Sequence, residues 1–390
     1  HRQNRKEKIG PKAGQKKTIE SSSRWRTDTD GLKVESYGDL GLEKWWTLRA
    51  PAIDESDDYT QWKRASNARA GTSSAEIELL PGYRDELLRS AGKDEGSWVS
   101  LAFDPEGRLT VAREDKGRIR YVFSADRKTI SSSELIEGEL RECRGLLYAH
   151  GSLYVNANNT RGLYRLRDTN GDGSFDEKKL LHSSPGGVGH GRNALALGPG
   201  GDIYAIHGDS VELPGKIIDR TSPLRQQGLP SRPREGHVLR ISPDGSRKEL
   251  FCAGMRNPYG IAFNTDGESF TYDADAEFDM GSPWYRPTRV MHLSSGADFG
   301  WREVTGSWPP YFPDHPDNTQ AALDIGKGSP TGVRFGTGSH FPLAYRKALY
   351  ILDWAYGRIL AVHLVPVSYT HLRAHATLRY LVCRLRREKK

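Results

Sequence analysis

The stretch from His190 to Asp209, HGRNALALGPGGDIYAIHGD, sets an imidazole and a carboxylate at the two open ends of a strand-turn-strand unit. Ala194 to Leu197 reads as one strand, Gly198-Pro199-Gly200-Gly201 as a turn and Asp202 to Ile206 as the return strand. The polar groups therefore fall just beyond the strand ends, where binding chemistry concentrates. A histidine there suits proton transfer near neutral pH, with the carboxylate to orient it; a surface-loop histidine beside a turn aspartate is the bland reading. His182 and His207 lie close enough to compete for the same role. A second group is DTNGDGSFD, in which Asp168, Asn170 and Asp172 alternate ahead of Gly173, and Asp176 follows at the ninth position. That spacing suits oxygen ligands around calcium, although Lys179 stands where an EF-hand has its bidentate glutamate. The motif reads as a stabilising calcium turn, with a plain Asn-Gly/Asp-Gly hairpin turn as the other reading. A third is TYDADAEFD, where Asp273, Asp275, Glu277 and Asp279 would share one face of an extended strand. Four like charges on one face call for a divalent cation, or for Arg286 and Arg289 nearby, unless the face is simply solvated.

Composition narrows what holds these groups. Forty-two glycines, 37 aromatic residues in the form of 9 Trp, 17 Tyr and 11 Phe, and only 3 Met fit many short strands joined by tight turns better than a helix bundle. The formal net charge of +7 suggests nucleic acid at first sight. The excess sits in the first 17 and the last 24 residues, leaving a net acidic body, so no basic footprint lies on the part that folds. Cys143, Cys252 and Cys383 form no Cys-x-x-Cys pair, which excludes a zinc ribbon, a thioredoxin-like motif and c-type haem attachment within these residues. Cys143 and Cys252 are open to either a disulfide or two buried thiols. No run reaches the roughly 18 apolar residues of a membrane span.

Along the chain, residues 1–30 are polar and aperiodic and read as a disordered basic lead-in, and 31–74 as an irregular or short helical segment. From about Ala75 a strand-turn-strand pattern recurs, with turn glycines at Gly107, Gly151, Gly201 and Gly267. Their separations approach the roughly 40–50 residues of a propeller blade, with insertions. Five blades are countable over 75–366, and Glu76 to Leu80 is a candidate to close the ring from the other terminus. Residues 367–390 break the pattern; they read as a basic amphipathic helix or as translated read-through foreign to the protein.

The intervals from His190 to Leu195 and to Asp209 match those of the soluble quinoprotein glucose (aldose sugar) dehydrogenases, and GMRNPYGIAF, Gly254 to Phe263, resembles that family's Arg-Asn-Pro signature. The resemblance implies His190 as base, Asp209 as its partner, Arg256 and Asn257 on a pyrroloquinoline quinone (PQQ), and calcium near Asp273. Without it, Asn257-Pro258 is explained as a turn, but Arg256 is not. Gly296 to Trp301 resembles a further segment of the family. No lysine lies between Asp353 and Pro366, where the family places one. Strings across 80–366, among them GSWVSLAFDPEGRL, RGLYRLRDTNGDGSFDE, GADFGWR and ALYILDWAYGRILAVHL, resemble bacterial membrane-bound dehydrogenase propellers often joined to c-type haem domains.

The expectation is an all-β, six-bladed propeller truncated after about five blades, from an exported periplasmic or cell-envelope protein whose membrane association would reside outside these residues. The expected activity is PQQ-dependent oxidation of a sugar or polyol, with electrons passed to a cytochrome domain or partner. Other classes remain: a calcium-stabilised carbohydrate-binding or scaffold propeller without catalysis, and a metal-dependent lactone or ester hydrolase using the acidic face. Propellers host all three.

Overall fold

The structure, a computed structural model, describes residues 71, 73–214, 235–274, 285–301, 318–364 and 377–385, together with five short strands nearer the N-terminus. Contacts divide the chain into His1–Arg69 and Ala70–Lys390. In the first unit Lys17–Ile19, Trp25–Asp28 and Gly31–Lys33 form a three-stranded antiparallel sheet, and Ser36–Tyr37 pairs with Leu42–Glu43. The first two of these strands fall within residues 1–30, where Thr, Ile and Trp favour extended backbone.

The second unit is an all-β propeller of five blades, with no α-helix among the described residues. Blade one comprises Trp98–Phe103, Leu109–Arg113, Lys116–Phe123 and Ile130–Arg141, and blade two Cys143–Ala149, Ser152–Ala157, Gly162–Arg167 and Glu177–Ser183. Blade three comprises Arg192–Leu197, Ile203–His207, Gly236–Ile241 and Lys248–Met255, and blade four Ile261–Phe263, Ser269–Asp273, Thr288–Leu293 and Leu323–Gly326. Each is an antiparallel meander in chain order. All four glycines that mark the blade pattern lie at positive φ, between 63° and 84°, which a tight turn requires and other residues resist.

The fifth sheet runs Pro330–Phe335, Leu349–Asp353, Arg358–His363, Thr377–Leu385 and finally Ile77–Leu79. The anticipated closing strand thus pairs at the edge of the last sheet, with Cys383 opposite Leu79 and Leu385 opposite Ile77. Within 367–390 the segment Thr377–Leu385 is a strand, where the helical reading of the tail has an amphipathic helix. Its Thr, Tyr, Val and Leu favour strand, and the open edge of Arg358–His363 offers a ladder to complete.

Apolar residues pack between successive blades. Tyr154, Leu163 and Leu181 meet Ile203, Leu239 and Leu250 between blades two and three, and Ile206, Val238 and Met255 meet Met291, Leu293 and Phe299 between three and four. The first strands of all five sheets converge on a cavity of about 610 Å³ lined by Leu101, Phe103, Leu147, Leu197, Phe263 and Phe335 among others. Burial of Cys143 and Cys252 as free thiols settles the disulfide question.

Candidate functional site

The candidate site forms at the opposite ends of these first strands, where each is entered from the preceding blade. A repeated device operates there. A side-chain acceptor at or just past the end of a blade's second strand binds backbone amides of a segment leading into a first strand. Asn158 Oδ1 accepts from Arg192 N at 3.0 Å, Asp353 Oδ1 from Ser329 N at 2.8 Å, and Asp273 from Arg256 N at 3.0 Å and Asn257 N at 2.7 Å. Such bonds satisfy orphan amides and fix the loops.

Asp209 sits at the corresponding end of blade three and spends its carboxylate differently. Its Oδ1 lies 2.7 Å from His190 Nδ1, and its Oδ2 accepts the Trp301 indole N–H at 2.9 Å. The backbone brings the pair together: His190 N donates to Ser210 Oγ at 3.1 Å, Ser210 N to His190 O at 3.1 Å, Gly208 N to Gly191 O at 2.8 Å, and Asp209 N to Arg256 O at 2.8 Å. Gly208 is required because a Cβ there would lie 2.7 Å from both Cβ and O of His190. The Asp209 side chain is 8% exposed and that of His190 32%, so the carboxylate is sealed while the imidazole reaches solvent. An Nδ1–H given to a carboxylate leaves Nε2 with its lone pair outward, the arrangement of a general base. The competing histidines face inward: His207 is 1% exposed and stacks on His237 at 4.7 Å, while burial with Lys248 and Arg192 nearby drives His182 down to about 4.

Arg256 is buried, with its guanidinium 5.7 Å from the centre of the Trp301 ring. Asn257 Oδ1 is buried and accepts no hydrogen bond among the described residues. Beneath both lies Asp273, wholly buried, with Arg289 at 3.9 Å. Burial pushes the Asp273 carboxyl up and the Arg289 guanidinium down to about 10. Asp273 thereby supports the Arg256-Asn257 backbone. Asp275, Glu277 and Asp279 lie outside the described residues.

The Asp168 loop turns its acids on itself. Asp168 accepts from Gly171 N at 2.6 Å and Gly173 N at 2.8 Å, Asn170 Oδ1 from Asp172 N at 3.0 Å, Asp172 from Ser174 N at 2.7 Å, and Asp176 from Thr169 N at 2.8 Å. No group of three His, Cys, Asp or Glu side chains gathers at metal-binding range among the described residues. Trp301 escaped the residue-level reading although its segment was singled out. The signal was there: a buried tryptophan needs an acceptor for its N–H.

A family model for a domain of unknown function (DUF7133) matches residues 72–285, more than half of the chain. The chain belongs to the DUF7133 family. The matched region contains His190, Asp209, Arg256, Asn257 and the Asp168 loop, and stops short of Trp301. This DUF7133 chain is also similar in structure to the PQQ-bound aldose sugar dehydrogenase of Streptomyces coelicolor, at 18% identity over 77% of this chain and 84% of that one, with a TM-score of 0.50. It is similar to the holo PQQ domain of pyranose dehydrogenase from Coprinopsis cinerea, at 12% identity over 80% and 87% with a TM-score of 0.57. For the Trichoderma reesei carbohydrate-active enzyme of family AA12 the values are 12%, 81% and 90%, with a TM-score of 0.58. At these identities the shared property is the propeller fold.

Proposed function

We propose that this DUF7133 protein is a quinone-dependent dehydrogenase of sugars or polyols. The observation that carries the reading is the His190–Asp209–Trp301 chain, in which a carboxylate leaves the backbone-capping pattern of its neighbours to hold an imidazole and an indole. In this reading His190 Nε2 takes the proton of a substrate hydroxyl. Asp209 holds the ring and offsets the charge that develops on it, and Trp301 keeps the second carboxylate oxygen from turning away. The residues present fit PQQ in part: Arg256 supplies a guanidinium for an anionic planar group, and the orphaned Asn257 Oδ1 supplies an acceptor. When bound, the quinone would accept the hydride from the carbon bearing that hydroxyl.

A six-bladed parent ring, a cytochrome electron acceptor, export to the periplasm and calcium at the Asp168 loop belong to the same proposal. No helix among the described residues is long and apolar enough to cross a membrane. Replacement of His190 by alanine should lower dye-linked turnover of the PQQ-loaded protein by about a hundredfold or more while leaving the melting temperature nearly unchanged. Retained turnover would overturn the base assignment. A non-catalytic carbohydrate-binding propeller would instead show glycan binding unaffected by PQQ. Chelation should lower the melting temperature if calcium sits at the Asp168 loop, and Asp168→Ala should remove that response.

A further inference from the structure

Arg192 opens blade three and is wholly buried, yet each acceptor its guanidinium finds is a carbonyl or a carboxamide. Nε donates to Ser184 O at 2.9 Å and Nη2 to the same oxygen, while Nη1 donates to Gly187 O at 2.8 Å and Asn158 O at 3.3 Å. No carboxylate pairs with it among the described residues. The charged neighbours that act on it, Arg161 and Arg144, share its sign. Glu142, the nearby acid, is engaged by Arg144 and by Asn158 Nδ2. Buried charge without a counter-charge is strongly disfavoured, so the arrangement asks for a negative group.

Other unspent polar atoms surround the same cation. His207 is the direct cross-strand partner of Arg192, which places the two side chains on one face of the sheet. Both His207 ring nitrogens are buried without a hydrogen-bond partner. The Ser184 hydroxyl, on the residue whose carbonyl receives the guanidinium, is buried and unpartnered as well. A neutral imidazole and a hydroxyl each have one hydrogen to give, and neither supplies a negative charge. Water would satisfy the donors and leave the charge unmet.

We propose that a small monovalent inorganic anion, of chloride's size and charge, binds between the Arg192 guanidinium, the His207 ring and the Ser184 hydroxyl. Arg192 anchors Ser184 and Gly187 of the segment that ends in His190, so the anion stiffens the loop carrying the candidate base. The proposal stands apart from the dehydrogenase reading, because its readout needs no activity.

The test is thermal unfolding of the full chain as sodium bromide replaces sodium methanesulfonate at constant ionic strength. A saturable rise in melting temperature is expected. Ser184→Ala removes one donor to a charged partner and should move the half-saturating bromide about tenfold higher, and Arg192→Gln should abolish the rise. Crystals grown in bromide should show an anomalous peak against Arg192 and Ser184. Equal melting temperatures in the two salts, or a rise unchanged in Ser184→Ala, would overturn the proposal. Should Arg192→Gln fail to fold, the Ser184→Ala shift and the anomalous peak decide.

Discussion

An imidazole that gives its Nδ1 proton to a fixed carboxylate is useful only while that carboxylate keeps its orientation. Trp301 supplies that restraint, since its N–H is the second bond holding Asp209 in place. Trp301→Phe keeps most of the packing and deletes one hydrogen bond to a charged acceptor, a loss of about 1.5–3 kcal/mol. The expected outcome in steady-state kinetics is a kcat lower by about tenfold or more with KM little changed; an unchanged kcat would reduce Trp301 to packing. The pairing of His190 with Asp209 was legible because their interval along the chain matches a family's, and Arg256 and Asn257 were legible as candidates through the Arg-Asn-Pro signature. Trp301 was not, because its partner lies 92 residues away and only the fold joins them. Asp273 was legible as one of four like charges in need of a counter-charge, but its burial and its bonds were not, since nothing in the spacing of the acidic run indicates that this carboxylate faces two amides of another loop.

At the scale of elements, the bulge near the end of blade three's last strand, where Gly236 pairs with Met255 and His237 with Ala253, shows how backbone shape secures the site. Gly254 has φ of +83°, and a Cβ there would lie 2.2 Å from Asp298 Oδ1 and 2.6 Å from Phe299 N. Gly254→Ala should cost about 3 kcal/mol or more, from left-handed strain and a clash with backbone that cannot swing aside, measurable as a lower midpoint in urea. The buried histidines make a second prediction. His182 is held down to about 4, and His207 is lowered by burial and its His237 neighbour. The unfolded chain therefore binds more protons than the folded one between about pH 6.5 and 4, so stability is complete above that window and is lost as pH falls through it. Unfolding free energy should decline toward pH 4, and His182→Gln should flatten the slope; a flat wild-type profile would count against neutral burial. Strand-turn periodicity made the blades readable, whereas the strand Thr377–Leu385 was not, because it is specified by the edge it completes as much as by its own residues.

Across the whole molecule, the strand Ile77–Leu79 and the segment after it tie the start of the propeller to its last sheet. Tyr83 reaches Tyr350 hydroxyl to hydroxyl at 2.7 Å and packs its ring on Phe341 and Tyr345 at 5.1 and 5.6 Å. Tyr83→Ala should lower stability by about 2 kcal/mol, and limited proteolysis should then cut first within residues 80–96; an unaltered cleavage pattern would show the tie to be dispensable. This closure also bears on synthesis. The ribosome releases Ile77 long before it releases the strand that Ile77 must pair with, and the intervening chain adds only meanders of adjacent strands. Blades one to four can therefore assemble while translation proceeds, at a few residues per second or more. The N-terminal strand meanwhile waits with an unmatched edge, exposed to any extended peptide in reach for the whole time that about 300 codons are read. Expression yield of this protein should consequently depend on what shields that strand during elongation more than on the stability of the finished ring.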